Sequence, residues 1–207
     1  VPMIKFLKQK RLSAHYVVGT DGRIFQLVDE QEKAWHAGVS RWRNMDNLNH
    51  YSIGIEISSP SMGQENYPNV QIKAVENLCR LLIRRYNIPA ANIVAHSDIA
   101  PTRKSDPGKA FPWQYLAENN IGLWYDLADA DKIKEDNVAI LLNYIGYDVS
   151  NLAAASYAFC RHFLPHLIEK NNNIDDLLCN VYLKDFVFPK QYLPHLKACV
   201  YKFKQCR

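Results

Sequence analysis

The 207-residue sequence has no run of roughly 18 apolar residues, so no segment predicts a membrane-spanning helix. It also lacks a CxxC pair, an internal repeat and a low-complexity segment, and we expect any exporting segment to lie upstream of this sequence. The surplus of positive charge is small, because 25 Lys and Arg face 21 Asp and Glu and leave a net charge of +4. A surplus of this size, dispersed along the chain, does not indicate nucleic-acid binding. Apolar residues make up 48% and charged residues 22%, which is typical of a globular protein and excludes a disordered one.

The cysteines are too few and too scattered for a disulfide framework or a zinc ribbon. The five are Cys79, Cys160, Cys179, Cys199 and Cys206. An odd number leaves at least one thiol unpaired. We therefore expect small apolar core residues or free thiols, with a bridge between Cys199 and Cys206 as the alternative.

The pattern of the chain changes near residue 125. Before this point, short β-like runs alternate with a helix and long loops, and after it a helical pattern continues almost to the end. We predict an α/β domain in residues 1–125, with a mixed central β-sheet flanked by helices. A small all-α domain is predicted in residues 126–207. A unit of about 80 residues is marginal alone, so we expect it to pack on the first domain.

The local pattern predicts where the elements lie. Residues 15–19 and 23–28 flank Asp-Gly and predict a β-hairpin. The run 52–58 alternates and places Glu56 on the face opposite three isoleucines. Apolar spacing predicts a helix over 70–86, and a short buried strand over 92–96 that carries His96 at its end. In the second half, helices are predicted over 133–145, 152–163, 174–183 and 192–203.

The segment from His96 to Gly108 is the richest in groups that can carry chemistry. The loop is long enough to return the Asp106 carboxylate to the His96 imidazole, which would form half of a zinc site. Glu56 could then act as a general base on a zinc-bound water. The alternative is a structural loop, in which Asp98 and Asp106 cap backbone amides and His96 is an ordinary buried side chain.

Four strings in this chain resemble the type 2 family of zinc-dependent N-acetylmuramoyl-L-alanine amidases. They are SAHYVVGTDGRIFQLV (13–28), AWHAGVSRWR (34–43), NHYSIGIEI (49–57) and VAHSDIAPTRKSDPG (94–108), followed by FPW (111–113). They occur in family order and cover about residues 11–125. Phage amidases of the T7 lysozyme kind and animal peptidoglycan-recognition proteins share the fold that this resemblance implies. The likeness extends to the bacterial branch that contains the outer-membrane lipoprotein amidase and the enzyme that trims recycled anhydro-muropeptides.

The resemblance implies a role for four residues. His96 and Asp106 match two of the three zinc ligands, and an Asp in place of the Cys of phage and animal members indicates the bacterial branch. Glu56 matches the catalytic carboxylate that activates the zinc-bound water. Lys104 matches the lysine expected to stabilise the oxyanion of the tetrahedral intermediate.

The resemblance also implies residues that line the substrate cleft, but it leaves the third zinc ligand unassigned. Trp35 and His36 match substrate-contacting positions, and ordinary packing is the alternative reading of both. The family's first zinc ligand is a His in a strand about twenty residues before the string that begins at Ser13, so we expect it upstream of this sequence. His15 stays open as a ligand, although its place in the second strand of the family favours a sheet histidine.

The implied function is hydrolysis of the amide between N-acetylmuramic acid, intact or 1,6-anhydro, and L-alanine of the stem peptide. The implied cofactor is Zn²⁺ and the partner is peptidoglycan or a muropeptide. The implied location is the periplasm or outer membrane of a Gram-negative bacterium, with a possible lipid anchor upstream; a cytosolic recycling role is the alternative. A non-catalytic peptidoglycan-recognition module and a zinc peptidase acting within the stem peptide stay open. The tail over 141–165 resembles a peptidoglycan-binding module, with a structural appendage as the alternative.

Overall fold

A computed structural model describes residues 2–171 and 173–206; residues 1, 172 and 207, which fall within the two predicted units, lie outside these ranges. The strands are β1 (Tyr16–Val18), β2 (Ile24–Gln26), β3 (Arg41–Trp42), β4 (Met45–Asp46) and β5 (Ile55–Ile57). The α-helices are α1 (Pro2–Lys10), α2 (Asn69–Tyr86), α3 (His96–Ile99), α4 (Trp113–Glu118), α5 (Val138–Ile145), α6 (Leu152–Phe163), α7 (Ile174–Cys179) and α8 (Leu193–Gln205).

The central sheet has three strands in the order β2-β1-β5, and β1 pairs antiparallel with β2 and parallel with β5. The predicted hairpin and the mixed sheet are therefore confirmed. Val17 of β1 is in register with Glu56 of β5. Ile55 and Ile57 pack with the core on the other face, because side chains of a strand alternate between its two faces. Strands β3 and β4 form a separate two-stranded ribbon.

Each face of the central sheet is covered by a helix. Tyr16 and Val18 share an apolar cluster with Val75 and Leu78 of α2. Val17 points to the opposite face and clusters with Leu7 of α1. Helix α2 begins at Asn69, directly after a proline, and ends at Tyr86; its C-cap, Asn87, takes a left-handed conformation with φ of 51°. This arrangement confirms a sheet flanked by helices.

The strand predicted over 92–96 is wrong. The segment follows a 3₁₀ turn at Ala90–Asn92, and His96 is the first residue of the four-residue helix α3. The backbone amides here bond locally instead of to a neighbouring strand. The Ile93 amide donates to the Ala90 carbonyl, and the Ala95 amide donates to the Asp98 carboxylate. A run of apolar residues without a ladder partner does not become a strand.

The helical half contains the predicted helices with shifted boundaries. The helix predicted over 133–145 begins at Val138, because a 3₁₀ helix at Leu127–Lys132 precedes it and the Asn137 side chain caps α5 by accepting from the Ile140 amide. Gly146 ends α5 with a φ of 141°. Helix α6 matches its predicted range, α7 ends at Cys179 and not at Leu183, and α8 spans Leu193–Gln205.

The largest apolar cluster contains residues from both predicted domains. Trp42 lies in it with its ring centroid 5.2 Å from that of Tyr147 and 6.5 Å from that of Phe203. The Trp42 indole also donates to the Ala91 carbonyl at 3.2 Å. The two halves therefore pack on each other through a common core, whereas the boundary at residue 125 stays a prediction.

All five cysteines are free thiols, and Cys160 and Cys199 are buried. The prediction of core residues and free thiols agrees with this placement, and the alternative bridge from Cys199 to Cys206 is not formed. Among the described residues, no helix combines the length and the apolar character that crossing a membrane requires.

Candidate active site

The loop between His96 and Asp106 closes on itself and brings the two side chains together. Nδ1 of His96 lies 3.0 Å from Oδ2 of Asp106. The His96 side chain is 15% exposed and that of Asp106 is 44% exposed, so the pair faces an opening at the protein surface. Imidazole nitrogen and carboxylate oxygen are both common zinc donors. The structure thus places two of the predicted ligands at a distance that one cation could bridge.

Backbone contacts on both sides hold the loop closed. The Ser97 amide donates to the Asp106 carbonyl at 3.0 Å, and the Tyr67 hydroxyl donates to the Pro107 carbonyl at 2.7 Å. Gly63 lies against the same turn with a φ of +72°, and a Cβ added to it would stand 1.8 Å from the Pro107 oxygen. Only glycine permits this close approach of two backbone segments.

The orientation of the His96 ring points Nδ1 at the Asp106 carboxylate, where a cation could bridge the two groups. Nε2 lies 3.1 Å from the Ala37 carbonyl oxygen, so it donates a proton there. In the neutral ring Nδ1 then carries a lone pair, and this lone pair faces a carboxylate oxygen. Two acceptors at such a distance require a proton or a cation between them. A backbone carbonyl that fixes the second nitrogen is the usual outer partner of a metal-bound histidine.

A cluster of charges surrounds this pair. Burial disfavours the ionised form of Asp106. When the His96 ring is protonated on both nitrogens, however, its hydrogen bond and charge, together with the Lys104 charge, hold the pKa of Asp106 at about 2. Burial raises the pKa of Glu56, as does the Asp106 charge, whereas His96 and Lys104 act in the opposite direction. The structure therefore brings together all four residues for which the sequence predicts a role in the chemistry.

The predicted cleft-wall residues lie beside this cluster on one loop. Trp35 is 54% exposed, and the Lys33 Nζ atom lies 3.6 Å above its ring centroid. His36 is partly buried, and its backbone amide donates to Oδ1 of Asn49 at 3.0 Å. The neighbouring Ala37 amide donates to the same oxygen at 2.8 Å. The buried Asn49 side chain thus fixes the loop, while the Trp35 indole stays accessible.

His15 is buried, and both its ring nitrogens are occupied by the protein. Nδ1 accepts a hydrogen bond from the Gly54 amide at 3.0 Å. Nε2 therefore carries the proton and donates to the Glu32 carbonyl at 2.9 Å. This ring has no lone pair available for a metal, which favours the interpretation of His15 as a sheet histidine.

The His36 ring packs on Gly54, one residue before β5 begins. A Cβ added at Gly54 would stand 2.2 Å from Cγ of His36. Nε2 of His36 lies 3.3 Å from the Ser52 carbonyl, and the ring meets that of His15 edge-on at 5.4 Å. Burial lowers the pKa of His36 to about 4, so the ring is neutral at physiological pH.

We expect the Gly54→Ala substitution to lower the free energy of unfolding by about 1–3 kcal/mol, because the added methyl group overlaps the His36 ring. Chemical denaturation measures this loss. The same substitution in a His36→Ala background is the control, since removing the ring removes the overlap. Equal losses in both backgrounds would show that the glycine is required for another reason.

Within residues 2–171 and 173–206, no three His, Cys, Asp or Glu side chains are grouped so that they could hold a metal ion together. His96 and Asp106 fit zinc by their chemistry and account for two ligands. A catalytic zinc site usually has three protein ligands. That the third ligand is a histidine upstream of this sequence stays a prediction.

Sequence comparison identifies the family of this chain. The family model described as N-acetylmuramoyl-L-alanine amidase matches residues 3–109, about half of the chain. AmiD of Escherichia coli (strain K12), an N-acetylmuramoyl-L-alanine amidase, is 39% identical over 191 residues, which cover 78% of this chain and 69% of AmiD. The chain belongs to the N-acetylmuramoyl-L-alanine amidase family. The predicted family is confirmed, and the chain is an amidase and thus a hydrolase.

Other amidases match either the first half of the chain in sequence or nearly the whole chain in structure. AmpD of Escherichia coli (strain K12), a 1,6-anhydro-N-acetylmuramyl-L-alanine amidase, is 39% identical over 112 residues, which cover 54% of this chain and 60% of AmpD. The structure of AmiD from E. coli in complex with the substrate anhydro-N-acetylmuramic acid-L-Ala-D-gamma-Glu-L-Lys has a TM-score of 0.78 and 33% identity. The match covers 98% of this chain and 84% of the AmiD chain.

AmpDh3 from Pseudomonas aeruginosa, in complex with anhydromuramic pentapeptide, gives a TM-score of 0.72 at 32% identity. The match covers 98% of this chain and 85% of that chain. Because both structural matches span nearly the whole chain, the helical half is part of the similarity as well as the sheet. The predicted fold class, a mixed sheet with flanking helices followed by helices, is confirmed.

Sequence reasoning missed one residue that shapes this amidase site. Arg103 donates from Nη2 to the carbonyls of Ala37 and Val39 at 2.9 and 2.6 Å, and from Nε to Val39 at 3.2 Å. The carbonyl of Ala37 also accepts from His96, so Arg103 ties the cleft-wall loop to the loop of the two donors. An exposed arginine in a polar loop gives no signal of such a contact, because its partners are backbone carbonyls distant in sequence.

Proposed function

We propose that this amidase cleaves the amide bond between the lactyl group of N-acetylmuramic acid and L-alanine of the stem peptide, with zinc as its cofactor. The observation that supports this most directly is the 3.0 Å approach of His96 Nδ1 to Asp106 Oδ2. The charges of Asp106, His96 and Lys104 act on Glu56, and the Lys104 charge also acts on Asp106. The four groups together offer metal donors, a base and a cation, which are the parts that amide hydrolysis requires.

His96 and Asp106 would hold the zinc ion, together with a third ligand outside the described cluster. When bound, zinc polarises the scissile carbonyl and lowers the pKa of a coordinated water to about 7. The Ala37 carbonyl keeps the proton of His96 on Nε2, so that Nδ1 remains a donor to the metal. Arg103 strengthens this arrangement, because it holds the same carbonyl in place.

Glu56 and Lys104 divide the proton and charge chemistry between them. Glu56 accepts a proton from the attacking water and then delivers it to the alanine nitrogen as the carbon–nitrogen bond breaks. The raised pKa of Glu56 suits this role, because a base is most effective when its pKa approaches the working pH. The Lys104 ammonium group offsets the negative charge that develops on the carbonyl oxygen.

Trp35 and His36 would contact the substrate along the cleft wall. The accessible Trp35 indole offers an apolar face for a sugar ring or peptide, and the neutral His36 ring can exchange hydrogen bonds with polar groups. The ligands of the AmiD and AmpDh3 complexes, both anhydromuramic peptides, support a muropeptide as the substrate of this chain. Intact and anhydro muramic acid are both candidates, in cell-wall turnover or in recycling.

Mass spectrometry of muropeptides tests this proposal. The protein, with any residues that precede this sequence in the native chain, is incubated with reduced and with anhydro muropeptides. We expect release of free stem peptide beginning with alanine, its loss when a zinc chelator is added, and its recovery when zinc is restored. The yields from the two sugars measure the preference for the anhydro form.

Other products would contradict the proposal in distinguishable ways. Fragments that keep alanine on the sugar would identify a zinc peptidase acting within the stem. Binding without release from either sugar, in excess zinc, would favour the non-catalytic peptidoglycan-recognition module. Release that persists in the chelator would exclude zinc as the cofactor.

The cell-wall substrate also suggests a location. We propose the periplasm or the outer membrane of a Gram-negative bacterium, with a lipid anchor upstream as one means of attachment. A cytosolic role in recycling is the alternative, and the free thiols suit a reducing compartment.

A further inference from the structure

The carboxylate of Asp98 is buried on the same short helix as His96, a candidate zinc ligand. Asp98 is 0% exposed and belongs to α3, the helix that begins at His96. Its Oδ2 atom accepts a hydrogen bond from the Ala95 amide at 2.8 Å, which caps the start of the helix. Because α3 has only four residues, this one side chain determines much of its orientation.

Two further donors to Asp98 come from the helical half of the chain. The Tyr147 hydroxyl donates to Oδ1 at 2.8 Å, across 49 positions of sequence. Nδ1 of His162 donates to Oδ2 at 2.7 Å, across 64 positions. Both donors are almost fully buried, so neither bond competes with water. Burial and the Asp98 charge raise the pKa of Tyr147, which keeps its hydroxyl protonated and able to donate.

The His162 ring has little freedom to move. It stacks on Trp113 of α4 and on Phe163 of α6, with ring centroids 4.1 Å apart in each case. Tyr147 is equally confined, because it follows Gly146 and packs edge-on against Trp42. The helical half therefore presents two fixed donors to a carboxylate two residues from His96.

From this geometry we propose that Tyr147 and His162 are positioning residues for the amidase site: the helical half sets the position of His96 through Asp98. The inference rests on the zinc amidase function proposed above and assigns the helical half a part in it. If Asp98 turns, α3 turns with it, and the Nδ1 atom of His96 leaves its place opposite Asp106. Neither donor touches substrate or metal, so both act through Asp98.

The Tyr147→Phe substitution tests the positioning role, because it removes only the hydroxyl group that donates to Asp98. We expect kcat and zinc affinity each to fall by up to about 10-fold, with KM unchanged. This is the lower end of the roughly 10–100-fold cost of losing a direct outer partner, because Tyr147 acts on His96 only through Asp98. His162→Leu should act in the same direction. His162→Asn should recover most of both quantities, because its amide nitrogen can take the place of Nδ1.

The matched control is Tyr182→Phe. Its hydroxyl accepts a hydrogen bond from Asn151 Nδ2 at 2.9 Å, within the helical half and away from Asp98. We expect this variant to keep kcat and zinc affinity. Equal losses in Tyr182→Phe and Tyr147→Phe would overturn the proposal in favour of general destabilisation. So would a lowered Tm in Tyr147→Phe with kcat and zinc affinity intact.

Hydrogen–deuterium exchange supplies a readout that does not depend on turnover. The Ala95, Asp98 and Ala100 amides bond within the turn that Asp98 stabilises. They should exchange faster in Tyr147→Phe than in Tyr182→Phe. Unchanged exchange would refute the coupling itself. Faster exchange in a protein that neither binds zinc nor cleaves muropeptides would retain the coupling and refute the proposed function instead.

Discussion

Replacing Glu56 by glutamine is expected to reduce the rate of stem-peptide release by about 10²- to 10⁴-fold while zinc stays bound. Glutamine preserves the shape of the side chain but cannot accept the proton of the attacking water. Burial raises the pKa of Glu56, and the charges of Asp106, His96 and Lys104 all act on it, so its carboxylate lies near the two candidate zinc ligands. The measurements are kcat from muropeptide cleavage and zinc affinity from competition with a chelator.

A second glutamate provides the control for this experiment. Glu118 lies on α4 and accepts a hydrogen bond from Gln114 at 3.0 Å, on the exposed surface. Glu118→Gln should leave both kcat and zinc affinity unchanged. If Glu56→Gln lost its zinc, Glu56 would be a ligand or a structural residue instead of the base. If it kept full activity, another group would have to accept the proton.

The second large effect is expected from the two candidate zinc ligands. His96→Ala and Asp106→Ala should each lower zinc affinity by more than the roughly 10–100-fold that the loss of an outer partner costs, and activity should fall with it. The reason is that each supplies one of the two donor atoms that face each other at 3.0 Å. Zinc competition titrations at a fixed pH measure the effect, because protons compete for the same atoms.

His166 offers a matched histidine outside the site. It is exposed, and its Nε2 atom lies 3.1 Å from the Tyr192 hydroxyl in the helical half. His166→Ala should retain full zinc affinity. A His96→Ala or Asp106→Ala variant with the metal content of the unaltered protein would refute the ligand assignment for that residue, whatever its activity.

Local patterns in the sequence predicted a strand correctly where the fold also supplies a neighbouring strand for its backbone hydrogen bonds. The Asp-Gly turn indicated the hairpin, and alternation placed Glu56 opposite its apolar neighbours; both are confirmed. The strand predicted over 92–96 is wrong because apolar content does not supply a ladder partner, and its amides bond to a 3₁₀ turn and to Asp98. The pattern of one segment cannot report what lies next to it.

In the candidate site too, the sequence could predict some features, and others became visible only in the fold. The motif around His96 and Asp106 could be identified from the sequence, because family resemblance fixes the order and the spacing of its residues. The roles of these residues remain predictions, although the structure brings them together. The contact from His162 to Asp98 spans 64 positions, and no periodicity links the two residues. Such partners become visible only when the fold has brought distant segments into contact.

The shared core limits how this chain can be recombined with others. The Trp42 indole is 3% exposed and lies between residues of its own half and the rings of Tyr147 and Phe203. A chimera that joined the residues before position 125 to an unrelated helical partner would leave this aromatic ring in water. The transplanted partner would have to bring a matching aromatic surface. We therefore expect the two halves to remain folded when they are transferred together, and neither to be replaceable alone by an unrelated sequence.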